Sequence, residues 1–396
     1  MLENGANIIK QIVYLMKRNK KIFFLTVGRS DFFRQKSIFD NINKKKNIDT
    51  KLIISGSHKL GEFGKTIRDI KLSKIKYYDC SIKNYSFNKS EIVSNLNKIT
   101  KKIDDLIKKK KPDIFVIFGD RYEMLGGALA CFGKKILLVH IHGGSITKGS
   151  FDDVIRHSLT KLSHFHYTPI NEYAKRIRQM GEENFRIKVV GAPGLDNIIE
   201  YSNKIDDDLI KSFIKKKYIL VCFHSETNNL KSLEKQLNCI SQIIKKININ
   251  FVITYPNTDP GCLKIIKCFK NLKKNYPKKI LLIKNAGSNF YHLLKKSEIL
   301  IGNSSSGIVE SPTFNKSTIN IGDRQKGKLI PKNVINSNFN FTKLSKLISY
   351  YLKKKNSKKI KNPYGDGKSG KKIVKLLNQI QLSKEKNYIK GFVTIK

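Results

Sequence analysis

The chain has 396 residues, long for a single hydrophobic core and comfortable for two domains of ordinary size. Hydrophobic residues make up 40% of it and aromatics 10%, all Phe and Tyr, which argues against a disordered chain. The formal charge is +47, yet only 10 of the 78 basic residues are arginine and the lysines run along the whole length, so the charge reads as solvated lysine faces and argues against a nucleic-acid partner.

The first twenty residues hold Ile9, Ile12, Val13, Leu15 and Met16 between Glu3 and Lys17, without a small-residue cleavage site. They predict a short amphipathic helix ahead of the first strand rather than a secretory signal. No later apolar stretch has the length of a membrane span, so a cytoplasmic protein is expected. Cys80, Cys131, Cys222, Cys239, Cys262 and Cys268 include no CxxC pair, so no disulfide framework or zinc site is expected. Cys131 and Cys222 lie in or beside apolar runs and read as small core residues.

Short β-branched or aromatic runs predict strands at 21–27, 51–55, 113–118, 136–141, 187–190, 218–223, 249–254, 279–284, 299–301 and 318–321. Helical candidates lie between several of them, at 89–109, 152–163, 171–180, 230–246 and 288–296, with another at about 369–382. Short apolar strands alternating with helices predict an α/β chain with parallel sheets covered on both faces. The polar motifs VGRSD, SGSH, GDR and HGG come directly after successive strands of the first half. HSE, YPNTD and GNSSSG do the same in the second half. Ligands of open parallel sheets bind outside the carboxyl ends of the strands, so two such sets predict two domains facing each other across a cleft. GAPG at 191–194 breaks the pattern and marks the boundary.

Four of the ten arginines, Arg29, Arg121, Arg156 and Arg324, fall inside these motifs, where a planar multi-donor group has a use that lysine does not meet. Asp120 follows a strongly apolar strand with Arg121 beside it, and is either a ligand-facing carboxylate or a cap for the next helix with Glu123 as its capping-box partner. Asp152 and Arg156 are four apart on one helix face, as a structural ion pair or as a base oriented by an arginine. His140, His142, His157, His164 and His166 crowd together, but their spacing completes no ligand set and no catalytic metal is expected. His224 at a strand end is a candidate proton donor near neutral pH. GNSSSGIVE at 302–310 offers serine hydroxyls and backbone N–H groups at a helix start, an anion site suited to a diphosphate, and Glu310 behind it is placed to accept from ribose hydroxyls. The stretch is neither a P-loop nor a dinucleotide fingerprint.

Taken together, GDRYEM at 119–124, HIHGG at 140–144, DDVIRHSLTKLSHFH at 152–166, YPNTD at 255–259, GNSSSGIVESP at 302–312, NIGDRQKG at 320–327 and NPYGDG at 362–367 resemble the hydrolysing UDP-N-acetylglucosamine 2-epimerases of sialic and related nonulosonic acid synthesis. The resemblance runs in order from about Lys20 to about Gln379. It implies a glycosyltransferase-B-like fold: an extension at 1–19, a Rossmann-like domain at 20–190 with the catalytic acids, a UDP-binding domain at 191–375 and a partly helical tail at 376–396. It implies no cofactor, a homodimer or homotetramer, and a UDP-linked 2-acetamido sugar as substrate. The implied reaction removes the C2 proton with loss of UDP, giving a 2-acetamidoglycal, and then adds water to release the free mannosamine-type sugar.

Residue by residue, the resemblance makes Arg29, Ser305 and Ser306 diphosphate contacts, Arg324 a further UDP-binding residue and Glu310 the ribose-binding carboxylate. Asp120, Asp152, Arg156, His224 and His58 match active-site positions. His142 stands where non-hydrolysing relatives and the animal enzyme carry glutamate and many bacterial hydrolysing relatives carry histidine, as a substitute proton-transfer group or one that orients another; Ser145 departs from the glutamate that often follows HGG in bacterial relatives. The substrate is open between UDP-N-acetylglucosamine and UDP-2,4-diacetamido-2,4,6-trideoxyglucose, whose difference lies at C4 and C6. A non-hydrolysing epimerase, a glycosyltransferase and a non-enzymatic polyanion-binding module are the competing readings. The last leaves Asp120, Asp152, Arg156 and His224 without a task.

Overall fold

The computed structural model describes residues 18–394 apart from 197, 204, 206, 288 and 355–359; the helix expected before the first strand lies outside the described residues. Among the described residues two fully parallel sheets form. The first contains β1 (Lys20–Thr26), β2 (Ile48–Ile54), β3 (Tyr77–Asp79), β4 (Ile114–Phe118), β5 (Leu137–Ile141), β6 (Phe165–Thr168) and β7 (Ile187–Val189), in the order β3-β2-β1-β4-β5-β6-β7. The second contains β8 (Tyr218–Cys222), β9 (Asn250–Thr254), β10 (Ile280–Ile283), β11 (Ile299–Gly302), β12 (Thr318–Ile321) and β13 (Val334–Ser337), in the order β10-β9-β8-β11-β12-β13. Both orders are doubly wound, reversing between β1 and β4 and between β8 and β11, where such sheets bind ligands. The two Rossmann-like domains expected from the sequence are both present.

The strands form where apolar residues are continuous because helices cover both faces. Every residue of β4, β5 and β8 is buried. In β8, Ile219 and Val221 enter the core on one side of the sheet, while Tyr218, Leu220 and Cys222 enter the core on the other. The covering helices are amphipathic: Ile92–Lys110 buries Ile99, Ile103 and Ile107 at four-residue spacing and carries Lys108, Lys109 and Lys110 in its last turn, where they complement the helix dipole. At the reversal in the second sheet, Gly302 has φ 135° and a Cβ there would lie 2.1 Å from the Cys222 carbonyl oxygen, so β8 and β11 meet only around a glycine.

Among the described residues the chain crosses between domains near Ala192 and again near Tyr364, side by side. Ala192 N–H donates to the Tyr364 carbonyl at 2.8 Å as the chain leaves and returns. Helix Ser369–Gln379 then lies against helix Arg29–Ile42 of the first domain, and Ile373, Val374, Leu377 and Ile380 belong to its core. The division expected at 375 therefore cuts a helix that the N-terminal domain buries. Lys20, at the start of β1, donates to the carbonyls of Leu377, Asn378 and Ile380 at 3.1, 2.7 and 2.8 Å. The final segment stays on this domain: buried Arg186 donates to the carbonyls of Lys386 and Asn387, and Lys390 reaches Glu182. Among the described residues no helix is long and apolar enough to cross a membrane.

Candidate active site

The two reversal points face each other across a cleft with about 1140 Å³ of free volume, its open mouth included. Asp120, Asp152, His224, Arg29, Ser305, Ser306, Glu310 and Arg324 all line it. The walls are held together by direct bonds between domains. Arg29 donates to the carbonyls of Lys284 and Tyr255 at 2.6 and 3.1 Å, and Arg121 pairs with Asp259 at 3.1 Å. Lys148 N–H donates to the Lys326 carbonyl at 3.0 Å, and Phe151 N–H to the Thr227 hydroxyl at 3.1 Å.

Asp120 does not cap the next helix. Helix Tyr122–Cys131 has Arg121 as its N-cap with no side-chain cap, and Glu123 is fully buried against Arg121 and Tyr85. Asp120 instead forms an ion pair with Arg156, which is 1% exposed. Burial alone would raise the Asp120 carboxyl, but Arg156, and behind it Lys328, hold it well below the usual carboxylate range. Arg156 also donates to Asp153 at 2.6 Å, to the Ser145 carbonyl at 3.0 Å and to the Thr147 hydroxyl at 2.8 Å. The helix-face pairing of Arg156 with Asp152 expected from their spacing is replaced by these bonds, since the guanidinium points into the sheet end. Asp152, the first residue of helix Asp152–Leu162, accepts from the Ser150 hydroxyl at 2.7 Å. Burial, then the like charges of Asp120 and Asp259, push its carboxyl up to about 7. Two carboxylates in one cleft thus have opposite electrostatic environments, one fixed as an anion and one able to exchange a proton near neutrality.

His224 behaves differently from the proton donor expected. Asn257 N–H donates to its Nδ1 at 3.0 Å, which leaves the hydrogen on Nε2. Burial, then Arg324, Arg29, Arg34 and Arg121, hold its pKa well below the ordinary value. The ring is held neutral, with its Nε2–H left as a hydrogen-bond donor. His142 follows β5 with φ 73°, its ring 5.6 Å from that of Phe118. Burial, then Arg34 and Lys328, lower it to about 3, with Asp120 among its charged neighbours; it is not among the residues lining the cleft. His58 is 0% exposed, with Nε2 3.0 Å from the Thr26 hydroxyl and Nδ1 2.8 Å from that of Thr66. It sits behind the cleft wall rather than on it, with both ring nitrogens occupied.

At the other end, Ser305 and Ser306 open the single-turn helix Ser306–Val309. Arg34 donates to Glu310 Oε1 at 3.1 Å and to the Ser305 hydroxyl at 3.0 Å, while buried Glu310 Oε2 has no partner in the protein. Arg324 donates to Asp259 at 3.3 Å and to the Asn303 carbonyl at 3.3 Å. Arg34, Asp259 and Lys328 also line the cleft, and the sequence assigned them no role. Asp259 lies in the quoted YPNTD string, the one signal that pointed to it. Arg34 lies inside helix Arg29–Ile42 without a motif, and Lys328 is one lysine in a lysine-rich chain.

The sequence profile of a family described as UDP-N-acetylglucosamine 2-epimerase matches residues 40–378. The Campylobacter jejuni protein named GDP/UDP-N,N'-diacetylbacillosamine 2-epimerase (hydrolyzing) is 34% identical over 329 residues, covering 81% of this chain and 85% of that one. The Legionella pneumophila UDP-N,N'-diacetylbacillosamine 2-epimerase (hydrolyzing) is 29% identical over 371 residues, covering 92% of this chain and 97% of its own. The crystal structure of the Methanocaldococcus jannaschii UDP-GlcNAc 2-epimerase in complex with UDP-GlcNAc and UDP superposes with a TM-score of 0.76 at 22% identity, covering 90% and 99% of the two chains. The fold shared with it is the glycosyltransferase-B-like arrangement expected from the sequence.

Proposed function

We propose, since the chain belongs to the UDP-N-acetylglucosamine 2-epimerase family, that it is the hydrolysing kind of UDP-sugar 2-epimerase, releasing UDP and a free 2-acetamido sugar inverted at C2. The observation that carries this reading is the pair of differently poised carboxylates, Asp120 and Asp152, in one cleft with the cluster Arg29, Arg34, Arg324 and Ser305. Asp152 is the base that takes the C2 proton, because a carboxyl near 7 both accepts and releases a proton at physiological pH. Asp120, kept anionic by Arg156, balances the positive charge that grows at C1 as the C1–O bond breaks. The electrons of the C2–H bond form the C1=C2 double bond, and UDP leaves with the glycosidic oxygen. Arg29, Arg34, Arg324 and neutral His224 face the departing diphosphate, and Glu310 receives the ribose hydroxyls. His142 tunes Asp120 from behind.

For the sugar, UDP-N,N'-diacetylbacillosamine, the 2,4-diacetamido-2,4,6-trideoxy compound, is favoured by the names of the Campylobacter and Legionella relatives. UDP-N-acetylglucosamine is the second reading, favoured by the description of the family. Incubating the enzyme in D2O with each sugar and following NMR tests both. Free epimerised sugar, one equivalent of UDP and deuterium at C2 are expected with the diacetamido compound. Epimerised sugar still attached to UDP would refute hydrolysis, and exclusive turnover of UDP-N-acetylglucosamine would reverse the choice of substrate.

A further inference from the structure

Inversion at C2 places a geometric demand on the cleft: the proton leaves from one face of the ring and another arrives on the opposite face. One group that takes and returns it on the same side would preserve the configuration. Asp152 stands on the N-terminal wall. With the ring lying between the two walls, a group on the C-terminal wall would reach the face turned away from Asp152. The ionisable side chains lining that wall include Asp259, occupied by Arg121 and Arg324, and Glu310, occupied by Arg34. His224, whose Nδ1 accepts from Asn257 N–H, is held neutral, and the Nε2–H of a neutral imidazole is too weak an acid to protonate carbon. Lys328 remains.

Among the described residues that line the cleft, Lys328 is the one cation whose charged group has no hydrogen-bond or ion-pair partner in the protein; Arg29, Arg34, Arg121 and Arg324 all donate to protein acceptors. Its backbone is anchored. Lys328 N–H donates to the Gln325 carbonyl at 3.2 Å, and the preceding Gly327 is so close to Ile146 that a Cβ would lie 2.5 Å from that side chain. The bond from Lys148 N–H to the Lys326 carbonyl ties this turn to the loop that leads into Asp152. The groups facing Lys328 are Arg156 and Asp120 from the opposite wall, Arg34 from helix Arg29–Ile42, Arg324 from its own turn, and His142.

We propose that Lys328 is the acid that protonates C2 of the glycal intermediate, from the wall opposite Asp152. This role rests on the hydrolysing reading above. The ammonium gives its proton to C2, the C1=C2 electron pair forms the new C2–H bond, and the positive charge left at C1 is taken by the oxygen of water. Water's proton passes through a cleft carboxylate to solvent, and the amine takes a proton back from solvent. Burial, then Arg156, lower the ammonium to about 7, so the lysine surrenders a proton far more readily than an exposed one.

The test is K328M, K328A and K328R beside the wild type, with each UDP-sugar in D2O. K328M is expected to keep releasing UDP while epimerised sugar falls by about 100-fold or more, the usual weight of a lost general acid, and the glycal accumulates with its vinylic H1 signal. Added methylamine should restore epimerised sugar to K328A but not to K328M, whose longer side chain fills the site. K328R keeps the charge on a group too basic to give up its proton, and should fail as K328M does. UDP titration within about threefold of wild type certifies the fold of each variant. Full activity in K328R, or epimerised sugar from K328M within about threefold of wild type, would overturn the proposal. No turnover of either sugar by the wild type itself would remove the reaction, and this role with it; the wild-type arm separates that failure from one confined to Lys328.

Discussion

Glu310 offers a quantitative test of the proposed nucleotide end of the cleft. Its Oε1 is engaged by Arg34 at 3.1 Å, its Oε2 is buried without a partner, and the residue is 1% exposed. In E310Q the shape is kept, Arg34 retains a carbonyl acceptor, and the free position becomes an NH2 donor facing a ribose hydroxyl. A hydrogen bond to a charged group contributes about 1.5–3 kcal/mol, so losing one is expected to weaken UDP binding by roughly 10- to 150-fold. Calorimetric titration of wild type and E310Q with UDP and with 2',3'-dideoxy-UDP closes a double cycle. Wild type should discriminate against the dideoxy nucleotide by roughly that factor, and E310Q by less than about threefold. Equal discrimination in both proteins, or E310Q binding UDP as the wild type does, would refute ribose recognition by this carboxylate.

The pH dependence follows from Asp152. A carboxyl raised to about 7 is protonated, and useless as a base, on the acid side, so kcat/KM is expected to rise as pH increases through about 7. D120N removes a like charge from beside it and should move that inflection to lower pH, on a reduced rate; an unmoved inflection would take Asp152 out of the role of base. Gly149 probes the meeting of the loops. An added methyl would lie 2.6 Å from the backbone of Asp323 and Arg324, so G149A must push the turn bearing Arg324 and Lys328 away from Asp152. A displacement near 1 Å is expected to lower kcat/KM by roughly 100-fold, with unfolding temperature little altered, and unchanged kinetics would contradict the apposition.

The parts of the fold legible in the sequence are those where burial leaves a one-dimensional trace. Ile114–Phe118 and Tyr218–Cys222 are apolar throughout because both faces are covered. Other strands lack that trace: Tyr77–Asp79 is three residues long and leaves its last residue exposed, Val334–Ser337 ends in polar residues, and Phe165–Thr168 buries a histidine and a threonine. Helix Arg29–Ile42 buries Asp31, Gln35 and Ser37 among its phenylalanines, which blurs its period. The site divides along the same line. Motifs at strand ends were visible because topology puts strand ends at the cleft. The partner of Arg156 was not, because spacing within a helix suggested Asp152 while the sheet brought Asp120 from 36 residues away. Arg34 and Lys328 acquire their surroundings only when the domains meet.

The return of the last helix to the first domain also bears on how the protein is made. All seven strands of the first sheet exist once Val189 has been synthesised, but the groove that takes Ile373, Val374, Leu377 and Ile380 stays open to water while the whole second domain is added. The second domain can close its core, from Ile219 to Ile348, before the first can finish its own. Lys20, at the start of the first strand, finds its acceptors at Leu377, Asn378 and Ile380, 357 to 360 residues further along the chain. The domain begun first is therefore completed last, and its sheet keeps an apolar groove uncovered until Ile373, Val374, Leu377 and Ile380 have been made.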